Sequence, residues 1–358
     1  MNAYQRYLAV FNKDDHRKLD RVPTHVQYIR EEFINRYYNS IVNNYSGKRF
    51  DQLYFDIPHI LGFDSVFAPF PSSFKVKPVK VNINNTNSIR IREDGQAIKR
   101  KSDYYEGGFI TNIEILNEIW ANLKQIDNTK QIKKVVDYYD KLSPYIFPVL
   151  MVDGIFDRTW KSMGMSTFSI NFQKNSKLYR EIIEFYAYLT RMNIEGLIHA
   201  TNGKGKVITI LDDIAFKGRT MISPKRWEKD FLPFYREINN IIIEAGIISQ
   251  IHTDGDPTDM ISLLQKAGFQ GLQGWEGGCD PHYISTKFPD FVVIGFGDVS
   301  YILPYGSKNQ VETHVKELIE IFRENRNLIL GPSTVIFKEI PLENVKTFIT
   351  ATIKYGKY

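Results

Sequence analysis

Short apolar runs alternate with longer amphipathic segments through the C-terminal half of the chain, the pattern of βα units feeding a parallel sheet. Five such runs predict buried strands: VITILDD (207–213), ISQIHT (248–253), GLQGWE (271–276), FVVIGFGD (291–298) and NLILGPS (327–333). Between them, Ser223-Pro224 opens a helix by placing proline in its first turn, and Gly246 closes it. Asp256-Pro257 opens the next helix and Gly268 closes it. Upstream, RVPTHVQYI (21–29) and YIFPVLMVDG (145–154) read as further strands, and the stretch from Leu53 to Phe67 supplies an eighth. Strand count and spacing predict a single (β/α)₈ TIM barrel spanning 1–358. A doubly wound sheet would normally carry a glycine-rich phosphate loop after an early strand, and the sequence has none. Residues 73–105, with VKPVKVNIN and SIRIRED flanking Asn84-Asn85, predict a β-hairpin excursion from the barrel.

Composition changes this picture little. A chain of 358 residues, 43% of them hydrophobic, is long enough to bury a large core. The net charge of +5 is spread over lysines and arginines that never gather into a run, which argues against nucleic-acid binding. One cysteine, Cys279, excludes an internal disulfide and a multi-cysteine zinc site, and suits a reducing compartment. The first residues lack the apolar core of a secretory signal, and no stretch has the length of a membrane span. A soluble cytoplasmic protein is expected, with a homodimer as the default assembly.

In parallel α/β folds the polar groups at strand C-termini line the active site. Here nearly every late strand ends in one: Asp212 and Asp213, His252 and Asp254, Glu276, Asp298, and Ser333 with Thr334. So many carboxylates at one end are costly to bury unless they meet a cation or a polar ligand. Individual residues have plainer explanations. Asp256 before Pro257 reads as a helix N-cap. Asp213 can cap a turn, and Asp212 points to the opposite face. His252 is open to three readings: metal ligand, general acid or base, or hydrogen-bonded core histidine. With Asp254 it forms an H-x-D pair that can offer an imidazole nitrogen and a carboxylate to one ion. Cys279, with His282 three residues on, can bind zinc, attack a substrate, or simply fill a loop.

At these residues the sequence resembles the uroporphyrinogen decarboxylase superfamily, which includes a haem-pathway decarboxylase and cobalamin-dependent methyltransferases. The resemblance runs from Asp20-Arg21-Val22-Pro23 through Tyr54-Phe55-Asp56 and Gly62 to Leu211-Asp212-Asp213 and Ile222-Ser223-Pro224. It continues with His252-Thr253-Asp254-Gly255, Glu276, Gly278-Cys279-Asp280, Gly297-Asp298, Pro341 and Glu343-Asn344. The fold it implies is a (β/α)₈ barrel. The decarboxylase would carry an arginine-rich segment after its first strand, for a substrate bearing many carboxylates. This chain has Gln27-Tyr28-Ile29-Arg30-Glu31-Glu32 there, and the added acids repel such a substrate.

The methyltransferase branch is the nearer resemblance. Its zinc-dependent members hold the metal with a His-x-Cys pair and a distant cysteine, whereas this chain has His252, Asp254 and the Ser333-Thr334 region. The resemblance therefore implies a corrinoid-dependent methyltransferase that moves a methyl group from a small donor, such as a methoxylated aromatic, to the cobalt of a separate corrinoid protein. His252, Asp254, Glu276 and Asp212 are its expected catalytic residues. Tyr28, Asp56, Asp213, Asp298 and Ser333 are expected to bind substrate or corrinoid. Zinc, if used, is expected on His252, Glu276 and Cys279. Two alternatives stay open: a lyase acting on a carboxylated substrate, and a non-catalytic barrel that binds a corrinoid or tetrapyrrole.

Overall fold

The computed structural model describes residues 1–43, 45–47, 53–67, 79–83, 87–91, 98–101, 104–123, 129–276 and 278–358. Eight strands form one parallel sheet in chain order: β1 (His25–Val26), β2 (Ser65–Phe67), β3 (Phe147–Asp153), β4 (Val207–Leu211), β5 (Ile248–His252), β6 (Gly271–Trp275), β7 (Val292–Gly297) and β8 (Leu328–Pro332). The sheet closes where Thr24 bridges Leu330 in parallel and the Leu330 N–H donates to the Pro23 carbonyl at 2.9 Å. This is the (β/α)₈ barrel that the apolar runs predicted. Strands buried on both faces must be apolar nearly throughout, and β3, β6, β7 and β8 are.

The predicted helix from Pro224 to Gly246 is two helices, Pro224–Asp230 and Leu232–Glu244. The break falls at Phe231, because Pro233 has no N–H to continue the first ladder and sits in the first turn of the second helix. Ser223 caps the first helix by accepting the Arg226 N–H at 3.3 Å. After β5, Asp256 accepts the Thr258 N–H at 3.0 Å, which starts a 3₁₀ turn running into the helix Ile261–Lys266. In the N-terminal excursion, Val79–Ile83 pairs antiparallel with Asn87–Ile91, and Ile98–Lys101 with Tyr104–Gly108. Among the described residues no helix is long and apolar enough to cross a membrane.

Two hydrophobic cores follow from the layers. The larger lies between sheet and helices, and the smaller fills the barrel with Phe147, Val149, Met151, Val207, Ile294 and Ile329. The N-terminal helix Ala3–Ala9 contributes Tyr7 to this inner core, where its ring meets Phe147 at 4.9 Å and its hydroxyl donates to Gln250 Oε1 at 3.2 Å. Arg21, from the first stretch of the family resemblance, is engaged structurally. It joins Arg6 on the buried Asp64 carboxylate, at 2.7 Å each.

His25 is fully buried inside the barrel, with Nδ1 2.9 Å from Ser65 Oγ and no hydrogen-bond partner for Nε2. Ser65 Oγ donates to the Thr24 carbonyl, so it accepts the Nδ1 proton. Burial, with His252 nearby, pulls the His25 pKa down from 6.5 to about 3. A histidine depressed in the folded state favours unfolding as pH falls below its unfolded value, because the unfolded chain takes the proton first. The cost is about 2 kcal/mol between roughly pH 7 and 5. The variant His25→Leu is expected to lose that much less stability over this interval in urea titrations. Identical pH dependence in the two proteins would refute the assignment.

Candidate active site

The C-terminal ends of β4, β5 and β6 bring Asp213, His252, Asp254 and Glu276 to the barrel mouth. His252 ends β5, its side chain only 7% exposed. Its Nδ1 lies 2.5 Å from Gln273 Oε1, on the neighbouring β6. The Gln273 amide is oriented by its own Nε2, which donates to the Ser333 carbonyl at 3.3 Å. In the neutral imidazole the proton therefore sits on Nδ1, and the Nε2 lone pair faces the mouth. There Nε2 is 3.6 Å from Asp254 Oδ1 and 3.9 Å from Asp213 Oδ1.

The loop after β5 is shaped by close backbone approach. Gly255, at φ +88, lies where a Cβ would come within 2.5 Å of the Phe216 backbone. Its N–H donates to Glu276 Oε2 at 3.0 Å, and the Asp254 N–H donates to Asp213 Oδ1 at 3.3 Å. Burial raises the pKa of Asp254, and Asp213 adds to the effect while His252 opposes it. Glu276 is raised too, by burial and then by Asp254. Asp254 Oδ1 is buried without a hydrogen-bond donor. At the mouth, then, Asp254 offers an acceptor that no protein donor meets.

Two further residues reach this site from the helix Phe156–Met163 after β3. Lys161 Nζ lies 2.6 Å from Asp157 Oδ2 and 3.6 Å from Asp213 Oδ2. Burial pushes the Asp157 carboxyl up to about 8 even with Lys161 beside it. Sequence reading missed Asp157, Lys161 and Gln273. The signal for the first two was an Asp/Lys pair at i,i+4 just past the apolar run 145–154, on the first helical turns at a strand end.

Asp212, expected among the catalytic residues, faces away from this group. It is 1% exposed and its carboxylate accepts the Phe156 N–H at 3.1 Å, the Asp157 N–H at 2.6 Å and the Tyr235 hydroxyl. It caps the helix after β3. Burial lifts its pKa to about 6, against the pull of those donors. Asp298 also acts on backbone, accepting the Ser300 and Tyr301 N–H groups at 2.7 and 2.9 Å. Ser333 contributes its carbonyl, through Gln273. Tyr28 is half-buried just past β1 on the mouth side. The side chain of Asp56 lies outside the described residues.

The expected zinc set of His252, Glu276 and Cys279 is not what the fold assembles. Among the described residues, the group able to share an ion is Asp213, His252 and Asp254, with one ligand atom from each lying within 4.8 Å of the others. Cys279 is turned aside, 3.5 Å from Asp256 Oδ1 and 3.7 Å from the Gly255 carbonyl. Burial and the Asp256 charge push its thiol up to about 12, so it is a poor source of thiolate.

A closed (β/α)₈ barrel whose polar side chains gather at the C-terminal strand ends is the class of protein that fold and site define. The chain belongs to the uroporphyrinogen decarboxylase (URO-D) family, whose model matches residues 158–355, more than half of its length. Among solved structures, a methyltransferase from Methanosarcina mazei is similar in fold, with 16% identity, TM-score 0.66 and coverage of 99% of both chains. A sugar phosphate isomerase/epimerase from Parabacteroides distasonis aligns at 9% identity over 92% of this chain and 94% of its own, with TM-score 0.40. No curated protein matches the chain.

Proposed function

We propose that the chain is a methyltransferase that moves a methyl group from a small donor to the cobalt of a corrinoid carried by a separate protein. The observation that carries this choice within the family is the charge of the mouth. Asp213, Asp254 and Glu276 face it, and Lys161 is held between Asp157 and Asp213. A porphyrinogen bearing many carboxylates would be repelled there, which argues against the decarboxylase reaction. The whole-length likeness in fold to a methyltransferase supports the same reading.

The corrinoid, as cobalt(I), would supply the nucleophile that attacks the methyl carbon. The protein's part is to hold the donor in line and to stabilise the leaving group. Gln273 fixes the His252 ring so that Nε2 faces that group, and Lys161 holds Asp213 beside it. The same donor set fits a divalent ion. The 3.6 and 3.9 Å separations from Nε2 let imidazole and carboxylates each reach one ion at about 2.0–2.2 Å. Such an ion would polarise the leaving group, and a nitrogen with two carboxylates is a harder site than a thiolate one.

The test is to mix the protein with cob(I)alamin and a panel of methyl donors. Methylcobalamin formed only when protein and a donor are both present is the expected result. Carbon dioxide released from a carboxylated substrate without cobalamin would instead establish the lyase.

A further inference from the structure

His252 is buried, yet one of its ring nitrogens is left unsatisfied. The side chain is only 7% exposed and Nδ1 is committed to Gln273, but Nε2 makes no hydrogen bond among the described residues. What Nε2 faces instead is a pair of carboxylate oxygens, Asp254 Oδ1 at 3.6 Å and Asp213 Oδ1 at 3.9 Å. Asp254 Oδ1 is itself buried with no hydrogen-bond donor. Three electron-rich atoms turned toward one point repel one another unless a positive charge sits between them. A proton on Nε2 answers this only in part, because both oxygens lie beyond the about 3.2 Å limit of an N–H···O bond.

The spacing selects the kind of ion. With bonds of about 2.0–2.2 Å, a four-coordinate ion sets its ligand atoms about 3.3–3.6 Å apart, whereas an octahedral one sets neighbours about 2.8–3.1 Å apart. The separations of 3.6 and 3.9 Å stand next to the first range and well outside the second. The remaining pair, Asp213 and Asp254, lies within 4.8 Å, and both side chains are a third or more exposed, so they are free to draw in. Behind the ligands stand partners that orient them, as at built metal sites. Gln273, tied to the Ser333 carbonyl, turns the His252 ring. Lys161 Nζ lies 3.6 Å from Asp213 Oδ2, the oxygen not facing Nε2, and is itself held by Asp157.

We propose that Asp213, His252 and Asp254 form a thiolate-free site for one four-coordinate divalent ion of the zinc and cobalt(II) kind, with Gln273 as the positioning residue for its nitrogen ligand. This departs from the His-x-Cys pair and distant cysteine of the zinc-dependent methyltransferases on two counts. Carboxylates take the place of both sulfurs, and one of them, Asp213, comes from the end of β4 and not from the Ser333-Thr334 region. Three protein ligands leave the fourth position open to the mouth for a small ligand. Binding of the ion stands apart from the methyltransferase reading; only the use of the open position by the donor's leaving group rests on it.

The experiment strips the untagged full chain with a chelator, adds back cobalt(II), zinc or magnesium, and reads metal content together with the cobalt(II) absorption spectrum. Cobalt and zinc are expected to be retained at one ion per chain and magnesium to be lost, with the visible bands of four-coordinate cobalt and no thiolate-to-cobalt charge-transfer band in the near ultraviolet. Asp213→Asn and Asp254→Asn are each expected to weaken cobalt binding by at least about tenfold, and Gln273→Leu by about 10–100-fold with Gln273→Glu restoring most of it. Cys279→Ser is expected to change neither affinity nor spectrum. A thiolate band that Cys279→Ser removes, no retained ion, or indifference to both Asp variants at unchanged melting temperature would overturn the proposal. Running the cob(I)alamin assay beside it separates the two readings. A cobalt spectrum without methyl transfer from any donor keeps the metal site and removes the methyltransferase, whereas methyl transfer by a chain that retains no ion does the reverse.

Discussion

Replacing His252 with alanine is expected to slow methyl transfer by about 10²–10⁴-fold, the usual contribution of a positioned acid, base or ligand group. The imidazole Nε2 faces the mouth and stands within 4 Å of both Asp213 and Asp254. The fold should survive. Removing the ring takes away a T-shaped contact with Phe67 and leaves the Gln273 carbonyl without its donor, a loss of about 1–3 kcal/mol. A domain of this size tolerates that. Stopped-flow rates alongside melting curves check the result: a stable variant with near-normal rate would remove His252 from the reaction.

Asp212→Ala is expected to do the opposite, costing stability first. Three donors converge on this buried carboxylate: two N–H groups opening the helix Phe156–Met163, and the Tyr235 hydroxyl. Removing the acceptor strands all of them out of reach of water, and the expected cost is about 3–5 kcal/mol in denaturant unfolding. Because the same helix carries Asp157 and Lys161, activity should fall with the loosening of its first turn. A loss below about 1 kcal/mol would show that this cap does not hold the helix.

These two neighbours show what the sequence could and could not reveal. The barrel was readable because parallel strands covered on both faces leave unbroken apolar runs, and because polar residues follow nearly every one of them. Which residue at a strand end faces the mouth was harder. Asp212 and Asp213 differ by one position, and a step of one residue carries a side chain to the other face. The sequence allowed either residue at the mouth, and the structure places Asp213 there and sets Asp212 to capping.

The approach of Lys161 to Asp213 was out of reach of pattern, since it depends on how one helix lands across a strand end 52 residues further on. The turn of Cys279 toward Asp256 was hidden for the same reason. The proline that splits the helix after Ser223 was in plain sight, yet its effect depends on packing around the buried Phe231. Gln273 illustrates a further limit: it is an ordinary strand residue until its amide is seen between His252 and Ser333.

The most direct test of the account is to measure methylcobalamin formation from cob(I)alamin and a labelled methyl donor with the wild type and His252→Ala side by side. Label is expected to reach cobalt with the wild type, and the variant, folded to the same melting temperature within a few degrees, is expected to be slower by at least about a hundredfold. Equal transfer of label by both proteins would contradict a reaction centre at the barrel mouth.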